Sequence, residues 1–283
     1  MKSKSLFFVF LAAIFFITGC YNVTDETLDK NAPNMLNTEL KTPESNSLMV
    51  FAAGSLTQPF TELGTMFEAQ HPGIKVVFDF QNANTLALQI GQGAPADVFA
   101  SAAEKFMTSA VNTGRINEKD VNIFARNKLA VIIPKNNPAN IIKLTDLAKP
   151  GIKLVMGAKE GPQGAYVENF LSNTAKDPEF PPDFKDLVYK NVVSFESTVN
   201  GVVTKVSLGE ADAGFVYYSD SQGNAEDKVD VLEIPIVLNI DAQYPIAPLN
   251  ESNNIDLAKS YIDLVLSQSG QDVLTKYGFL PAK

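Results

Sequence analysis

Polar turns rich in hydrogen-bond donors recur along this 283-residue chain, each where a short apolar run gives way to helical spacing. The turns contain Ser55, residues 82–85, residues 161–164 and residues 197–200. The start of a helix presents unpaired backbone N–H groups at the positive end of the helix dipole, which favours an anion. If the four turns face one point, they offer donors and no counter-charge, which suits a small, fully ionised oxyanion.

The same turns also have a purely structural interpretation. Ser and Asn side chains at the start of a helix accept hydrogen bonds from its first N–H groups, so Ser55 and Asn84 would also serve as helix caps. Spacing alone leaves both interpretations open.

Nucleophilic and metal chemistry have few candidate residues. The chain holds one Cys and one His, so neither a Cys/His metal site nor an internal disulfide can be assembled. Ser55 does not lie in a G-x-S-x-G elbow, and His71 follows the helix that Ser55 begins. A hydrolase built on Ser55 would need Lys159 or Lys205 as its base. We therefore predict a protein without catalytic residues, without a cofactor and without a metal bound as a free cation.

The charge of the chain excludes nucleic acid as a partner, and its composition is that of a globular protein. The formal net charge is −9 and the calculated isoelectric point is near 4.7, which excludes a nucleic-acid-binding protein because such binding relies on clustered Lys and Arg. Hydrophobic residues make up 45% and charged residues 19% of the chain, as in ordinary globular proteins.

The N-terminus has the layout of an export signal. Lys2 and Lys4 precede an apolar run at residues 6–17, which is too short to span a bilayer at ~20 residues. The sequence Ile-Thr-Gly-Cys that ends at Cys20 resembles the prokaryotic lipobox, in which the Cys is lipidated and becomes the new N-terminus. We expect residues 1–19 to be a lipoprotein signal peptide and Cys20 to carry a lipid anchor.

A change of composition marks the start of the folded part. Residues 20–47 are rich in Asn, Thr, Asp, Glu, Pro and Lys and show no hydrophobic period, which predicts a flexible tether. The expected location is extracytoplasmic, with the protein anchored at the membrane through Cys20.

Beyond residue 47, apolar runs alternate with amphipathic segments, which predicts an α/β protein with mostly parallel sheet. The predicted strands are 48–53, 74–80, 98–101, 129–134, 154–157, 192–195 and 214–218, with an extended segment at 231–238. Helical spacing covers 60–67, 85–90, 104–111, 165–171, 202–208 and 255–276. The two successive sets of strands predict two sheets.

Five stretches carry a family resemblance, in this order and spacing. They are residues 51–57 (Phe-Ala-Ala-Gly-Ser-Leu-Thr), 85–90, 93–102 (Gly-Ala-Pro-Ala-Asp-Val-Phe-Ala-Ser-Ala), 209–217 (Gly-Glu-Ala-Asp-Ala-Gly-Phe-Val-Tyr) and 277–279. Together they resemble the molybdate-binding proteins of bacterial and archaeal ABC importers, over essentially all of residues 48–283.

The resemblance implies a two-lobed type II periplasmic-binding-protein fold. Two mixed or mostly parallel sheets flanked by helices would be joined by two hinge strands, near residues 131–135 and 234–244. The first lobe would comprise residues 48–133 and 240–283, and the second lobe residues 134–239.

The resemblance also implies a ligand, molybdate or tungstate, held in the cleft between the lobes. Carried over by position, Ser55 would supply its hydroxyl and N–H, Gln163 and Val199 their backbone N–H groups, and Tyr217 its phenol. Where the family usually has a serine, this chain has Ala83, which can donate only its N–H. The side-chain amides of Asn82 and Asn84 are candidates to replace that contact.

The implied partners are an ABC permease and its ATPase, and a monomer is the default expectation. The nearest alternative is a binding lipoprotein of the same fold for another oxyanion or a small organic acid. A surface lipoprotein that binds another protein would need an exposed apolar patch, whereas the aromatic residues fall mainly within strand and helix periods.

Overall fold

The structure, a computed structural model, describes residues 46–282. The predicted signal peptide and lipidation at Cys20 lie outside these residues, as does the predicted tether up to residue 45. The first strand begins at Ser47, one residue before its predicted start.

The described residues form ten strands and eight α-helices. The strands are β1 (Ser47–Ala53), β2 (Lys75–Gln81), β3 (Val98–Ala100), β4 (Asn122–Asn127), β5 (Leu129–Pro134), β6 (Leu154–Gly157), β7 (Val192–Glu196), β8 (Ala213–Tyr217), β9 (Val229–Glu233) and β10 (Ala242–Pro248). The helices are α1 (Thr57–Gln70), α2 (Ala83–Gly91), α3 (Glu104–Asn112), α4 (Pro162–Thr174), α5 (Phe184–Lys190), α6 (Val199–Ser207), α7 (Ile255–Leu266) and α8 (Gln268–Lys276).

Two five-stranded sheets define the two lobes of the fold. The first sheet has the order β2-β1-β3-β10-β4, and the second has the order β7-β6-β8-β5-β9. Each sheet is mixed: β1 runs parallel to β2 and β3, and β6 runs parallel to β7 and β8, whereas β10 and β5 run antiparallel to their neighbours. The predicted α/β class and two-lobed architecture are confirmed.

The apolar runs form strands because both faces of the central strands are covered. Every residue of β5 and β8 is buried, so these strands read as continuous apolar runs rather than as an alternation. The helix α6 covers one face of the second sheet, where Val202 and Val206 pack with Val155. In the first lobe α1 and α7 bring Phe60, Phe67 and Tyr261 into one aromatic cluster.

The chain crosses from the first sheet to the second between two adjacent strands. The strand β4 belongs to the first sheet and β5 to the second, so this first crossing lies at Lys128. Residues 129–133, which were expected in the first lobe, pair with strands of the second sheet. The second crossing lies between β9 and β10. At the first crossing the Asn127 amide donates to the Ser219 hydroxyl over 2.8 Å, which satisfies a buried polar side chain.

Four elements differ from the predicted pattern. The strands β4 and β10 and the helix α5 are not among the predicted elements, and the C-terminal helical segment is divided at Ser267 into α7 and α8. The Ser267 hydroxyl accepts from the Gly270 N–H, so this side chain caps α8.

Candidate functional site

The starts of helical segments from both lobes line one small cavity. Its volume is about 30 Å³, comparable to the space of a few water-sized spheres. The lining residues are Ala53, Gly54, Ser55, Gln81, Asn82, Ala83, Ala102, Gly157, Pro162, Gln163, Thr198, Val199 and Tyr217. All four polar turns that the sequence singled out therefore contribute to a single cavity.

Strand pairing brings the two turns of the first lobe together. The parallel register pairs Ala53 at the end of β1 with Gln81 at the end of β2. Because parallel strands end at the same edge of a sheet, the turns that follow lie side by side. One turn is a short 3₁₀ segment centred on Ser55, and the other places Ala83 as the first residue of α2.

The second lobe repeats this arrangement. The register pairs Gly157 at the end of β6 with Glu196 at the end of β7, so the starts of α4 and α6 lie at one edge of the second sheet. Gln163 is the second residue of α4 and Val199 is the first residue of α6. The backbone N–H groups of these positions have no partner within their own helices.

Two buried hydroxyl groups complete the donor set. The Ser55 Oγ lies 3.0 Å from the Tyr244 Oη, and Ser55 is only 8% exposed. Tyr217 ends β8 and is 1% exposed, and its hydroxyl has no hydrogen-bond partner among the described residues. Burial raises the pKa of Tyr217 well above its ordinary value, so the phenol stays protonated and able to donate at neutral pH.

The side chain of Gln163 is engaged inside its own lobe. Its Oε1 accepts from the Gly157 N–H over 2.8 Å, and its Nε2 donates to the Phe215 carbonyl oxygen. These bonds hold the start of α4 against β6 and β8, and they occupy both polar atoms of the Gln163 side chain. Gly164 follows with no side chain because a Cβ there would overlap the Ala158 carbonyl oxygen.

The two asparagines that were candidates to replace the missing serine have different surroundings. Asn82 lines the cavity, but its Oδ1 accepts from the Asn84 N–H and its Nδ2 donates to the Ser197 carbonyl oxygen. Asn84 does not line the cavity, and its Oδ1 accepts from the Thr85 N–H over 2.8 Å. The amide donor of Asn82 is therefore engaged, whereas the bonds of Asn84 use only its Oδ1 and the residue lies outside the cavity lining.

The cavity walls carry no formal charge, since no Lys, Arg, Asp or Glu is among its lining residues in the described part of the chain. Glu160 is exposed and stands outside the lining. Lys205 pairs with Glu196 over 2.7 Å, and Lys159 lies over the Tyr189 ring, so neither is placed to activate Ser55. The arrangement is that of a binding site built from neutral donors.

The described residues also limit other classes of site. Residues 46–282 contain no group of three or more His, Cys, Asp or Glu side chains that could hold a metal ion. Within the same range, no helix combines the length and the apolar character that a membrane crossing requires.

Sequence reasoning did not identify two buried polar residues beside the cavity. Tyr244 contacts Ser55 from β10, 189 residues away in sequence, so no local pattern could reveal the pair. Asp220 lies in a short 3₁₀ segment after β8, and its Oδ2 accepts from the Tyr217 N–H over 3.0 Å. Burial raises the pKa of Asp220 to about 7.

Comparison with known proteins shows the family to which the chain belongs. The family model described as bacterial extracellular solute-binding protein matches residues 48–280. The chain is 34% identical over 238 residues to the molybdate-binding protein ModA of Mycobacterium tuberculosis, covering 84% of this chain and 86% of that protein. It is 27% identical over 286 residues to a putative ABC transporter substrate-binding lipoprotein of Bacillus subtilis, covering 98% of each.

A solved structure shows the same architecture. The substrate-binding domain of a putative molybdenum ABC transporter from Clostridium difficile superposes with a TM-score of 0.62 at 27% identity, covering 84% of this chain and 99% of that domain. The resemblance to the molybdate-binding proteins of ABC importers is thereby confirmed. The chain belongs to the family of bacterial extracellular solute-binding proteins, whose members bind solutes for import and are not enzymes.

Proposed function

We propose that this protein is the receptor of an ABC importer and captures molybdate, and also tungstate, in the cavity between its lobes. The observation that carries the proposal is the convergence of four helix-start turns on one small cavity without charged walls. Two relatives support the choice of anion, since one is named a molybdate-binding protein and the other belongs to a putative molybdenum transporter.

The proposed contacts are all donors. Ser55 and Tyr217 would donate from hydroxyl groups, and Ala83, Gln163 and Val199 would donate from backbone N–H groups at the starts of their helices. A fully ionised tetrahedral oxyanion can accept every one of these hydrogen bonds. Hydrogen phosphate carries a proton of its own, and among the proposed contacts only the hydroxyl oxygens of Ser55 and Tyr217 can accept it. A hydroxyl that accepts this proton no longer donates to the anion, so hydrogen phosphate should bind less tightly.

Size supports the oxyanion over the alternative of a small organic acid. A cavity of about 30 Å³ accommodates a compact anion, whereas a carboxylic acid with a carbon chain needs additional apolar volume. Sulfate remains the main competitor, and its shorter bonds would leave some donors too distant. Molybdate and tungstate are nearly equal in size and charge, so the cavity should bind both.

We assign residues to the two lobes by the sheet to which each strand belongs. Residues 46–128 and 240–282 would form the first lobe and residues 129–239 the second, with closure about the two crossings trapping the anion. The closed form would deliver it to a membrane permease powered by its ATPase. A monomer suffices for this role, because the cavity is formed by one chain.

We also propose that Cys20 carries a lipid anchor that holds the receptor at the outer face of the cytoplasmic membrane or at the cell surface. The lipobox-like sequence supports the anchor, as does the Bacillus subtilis relative, which is named a lipoprotein and matches over 98% of each chain. Metabolic labelling with a radioactive fatty acid tests it, because Cys20→Ser should abolish the label.

Isothermal titration calorimetry tests the anion. The described residues 46–282 lie in one compact unit. A fragment of residues 43–283 would be unfolded, refolded to remove carried ligand, and titrated with molybdate, tungstate, sulfate and phosphate. We expect tight one-to-one binding of the first two and none of the others. Absence of heat with all four anions would refute the oxyanion site and favour a different small ligand.

A further inference from the structure

Two asparagine side chains near the cavity make hydrogen bonds from one lobe to the other. The Nδ2 of Asn82, from the first lobe, donates to the Ser197 carbonyl oxygen of the second lobe over 3.2 Å. The Nδ2 of Asn200, from the second lobe, donates over 3.1 Å to both the Gly54 carbonyl oxygen and the Thr57 hydroxyl of the first lobe. The two bridges run in opposite directions across the cleft.

The bridges connect the elements that form the site. Asn82 precedes α2 and reaches the turn before α6, and Asn200 lies in the first turn of α6 and reaches the turn before α1. The Asn82 amide also packs so closely on Gly161 that a Cβ there would overlap it. Separating the lobes at the cavity therefore breaks both sets of hydrogen bonds.

We infer that Asn82 and Asn200 are latch residues, which hold the cleft closed over the ligand and set its rate of release without choosing the anion. This inference rests on the proposed function, because it assigns a role in retaining the ligand of that site. The Nδ2 groups of both side chains donate to carbonyl or hydroxyl oxygens of the opposite lobe. They are positioning residues that act through closure, whereas the helix N–H groups and the hydroxyls of Ser55 and Tyr217 are the proposed contacts of the anion.

Helix capping does not account for these bonds. The cap of α2 uses the Oδ1 of Asn82, which accepts from the Asn84 N–H, and leaves its Nδ2 available for the other lobe. Asn200 has no capping bond, and its Nδ2 bonds only to first-lobe oxygens. The Gly54 carbonyl oxygen also accepts from the Thr57 hydroxyl over 2.6 Å, so it keeps a partner within its own lobe when the cleft opens.

The test uses variants that remove the bridges and spare the fold. Asn82→Ser keeps a capping oxygen but is too short to reach Ser197, and Asn200→Ala removes a side chain that makes no bond within its lobe. Asn117→Ala is the matched control, because the Asn117 amide donates over 2.7 Å to Asn250 within the first lobe. Each variant would be made in the fragment 43–283.

The readout is the rate at which protein loaded with radioactive molybdate releases it into excess unlabelled molybdate. We expect release to accelerate about threefold to tenfold in each single latch variant and further in the double variant, as for loss of an ordinary hydrogen bond. The ratio of the molybdate and tungstate dissociation constants should stay unchanged, and Asn117→Ala should match the unmodified fragment.

Unchanged release in the double variant, with molybdate still bound, would overturn the latch and leave the proposed function standing. A changed molybdate-to-tungstate ratio would also overturn it, since the asparagines would then contact the anion. If the unmodified fragment binds no oxyanion, the proposed function fails, and small-angle X-ray scattering then tests the latch alone. In that case the ligand-free double variant should be more expanded than the unmodified fragment, and equal radii of gyration would overturn the latch.

Discussion

Replacing Tyr217 with Phe should weaken anion binding while stabilising the ligand-free protein. The Tyr217 hydroxyl is buried and has no partner within residues 46–282, although it lies at the cavity. A hydrogen bond to a charged group contributes about 1.5–3 kcal/mol, so Tyr217→Phe should weaken molybdate binding roughly 10- to 150-fold. Removing a buried hydroxyl that lacks a partner removes a desolvation cost of about 1–3 kcal/mol, so the ligand-free variant should melt a few degrees higher.

Tyr261 provides the matched control for this experiment. Its hydroxyl is also buried without a partner in the described structure, but it lies in the aromatic cluster of the first lobe, away from the cavity. Tyr261→Phe should raise the melting temperature similarly and leave molybdate affinity unchanged. Calorimetric titration and thermal unfolding of both variants measure the two effects. Equal molybdate affinity in Tyr217→Phe and the unmodified protein would refute the role of this hydroxyl as a ligand donor.

Three further changes probe the surroundings of the site. Ala83→Ser should tighten molybdate binding about threefold to tenfold by calorimetry, because it adds a hydroxyl donor at the start of α2; weaker binding would mean that the cavity lacks room for it. Gly164→Ala should lower the free energy of unfolding in urea by about 1–3 kcal/mol, because the new Cβ overlaps the Ala158 carbonyl oxygen; unchanged stability would show that α4 shifts freely. Asp220→Asn should alter the pH dependence of stability. The folded-state pKa of about 7 lies above the unfolded value near ~3.9, so the contribution of Asp220 to the free energy of unfolding of the unmodified protein should fall by about 3 kcal/mol between pH 4 and 7. The variant should lose this fall in urea titrations at pH 5 and pH 8, and an identical slope in both proteins would contradict a neutral buried Asp220.

The bounds of two buried strands could be predicted from sequence, because a continuous apolar run is a local signal. Residues 129–134 and 154–157 were predicted with the bounds that the structure shows, since buried strands are short, continuous apolar runs. The starts of α2 and α6 were predicted two or three residues late, because Ala83 and Val199 precede the periodic apolar residues. Helix boundaries are less well marked than the turns before them.

The first crossing between the two sheets has no signal in the local sequence. The stretch 122–134 contains two strands that belong to different sheets, with Lys128 as the only residue between them. No Gly or Pro lies between the two strands. The Asn127 side chain supplies the hydrogen bond that the backbone needs there, because its Oδ1 accepts from the Lys128 N–H over 3.0 Å. Sequence patterns identify turns by residue type, so a crossing supported by side-chain bonds between distant segments is not visible to them.

The hydrogen bonds that connect the site to distant segments of the chain could not be predicted from the sequence either. Ser55 could be selected as a donor, but its neighbour Tyr244 and the bridges from Asn82 and Asn200 depend on how the lobes meet. Asn82 illustrates the difference, because the sequence suggested an anion contact and the structure gives its amide another partner. Residue type and position therefore predicted the kind of site, whereas the use of each side chain depended on tertiary contacts.

Because the cavity walls carry no formal charge, anion binding should depend little on the salt concentration outside the cell. Mobile ions weaken attractions between charges that are exposed to water, with a screening length of about 8 Å at physiological ionic strength. Donors that are buried at hydrogen-bond distance are shielded far less, and this cavity has no Lys or Arg among its described lining residues. Retention of the anion should therefore vary little between dilute and saline surroundings, an advantage for a protein whose solvent the cell does not control.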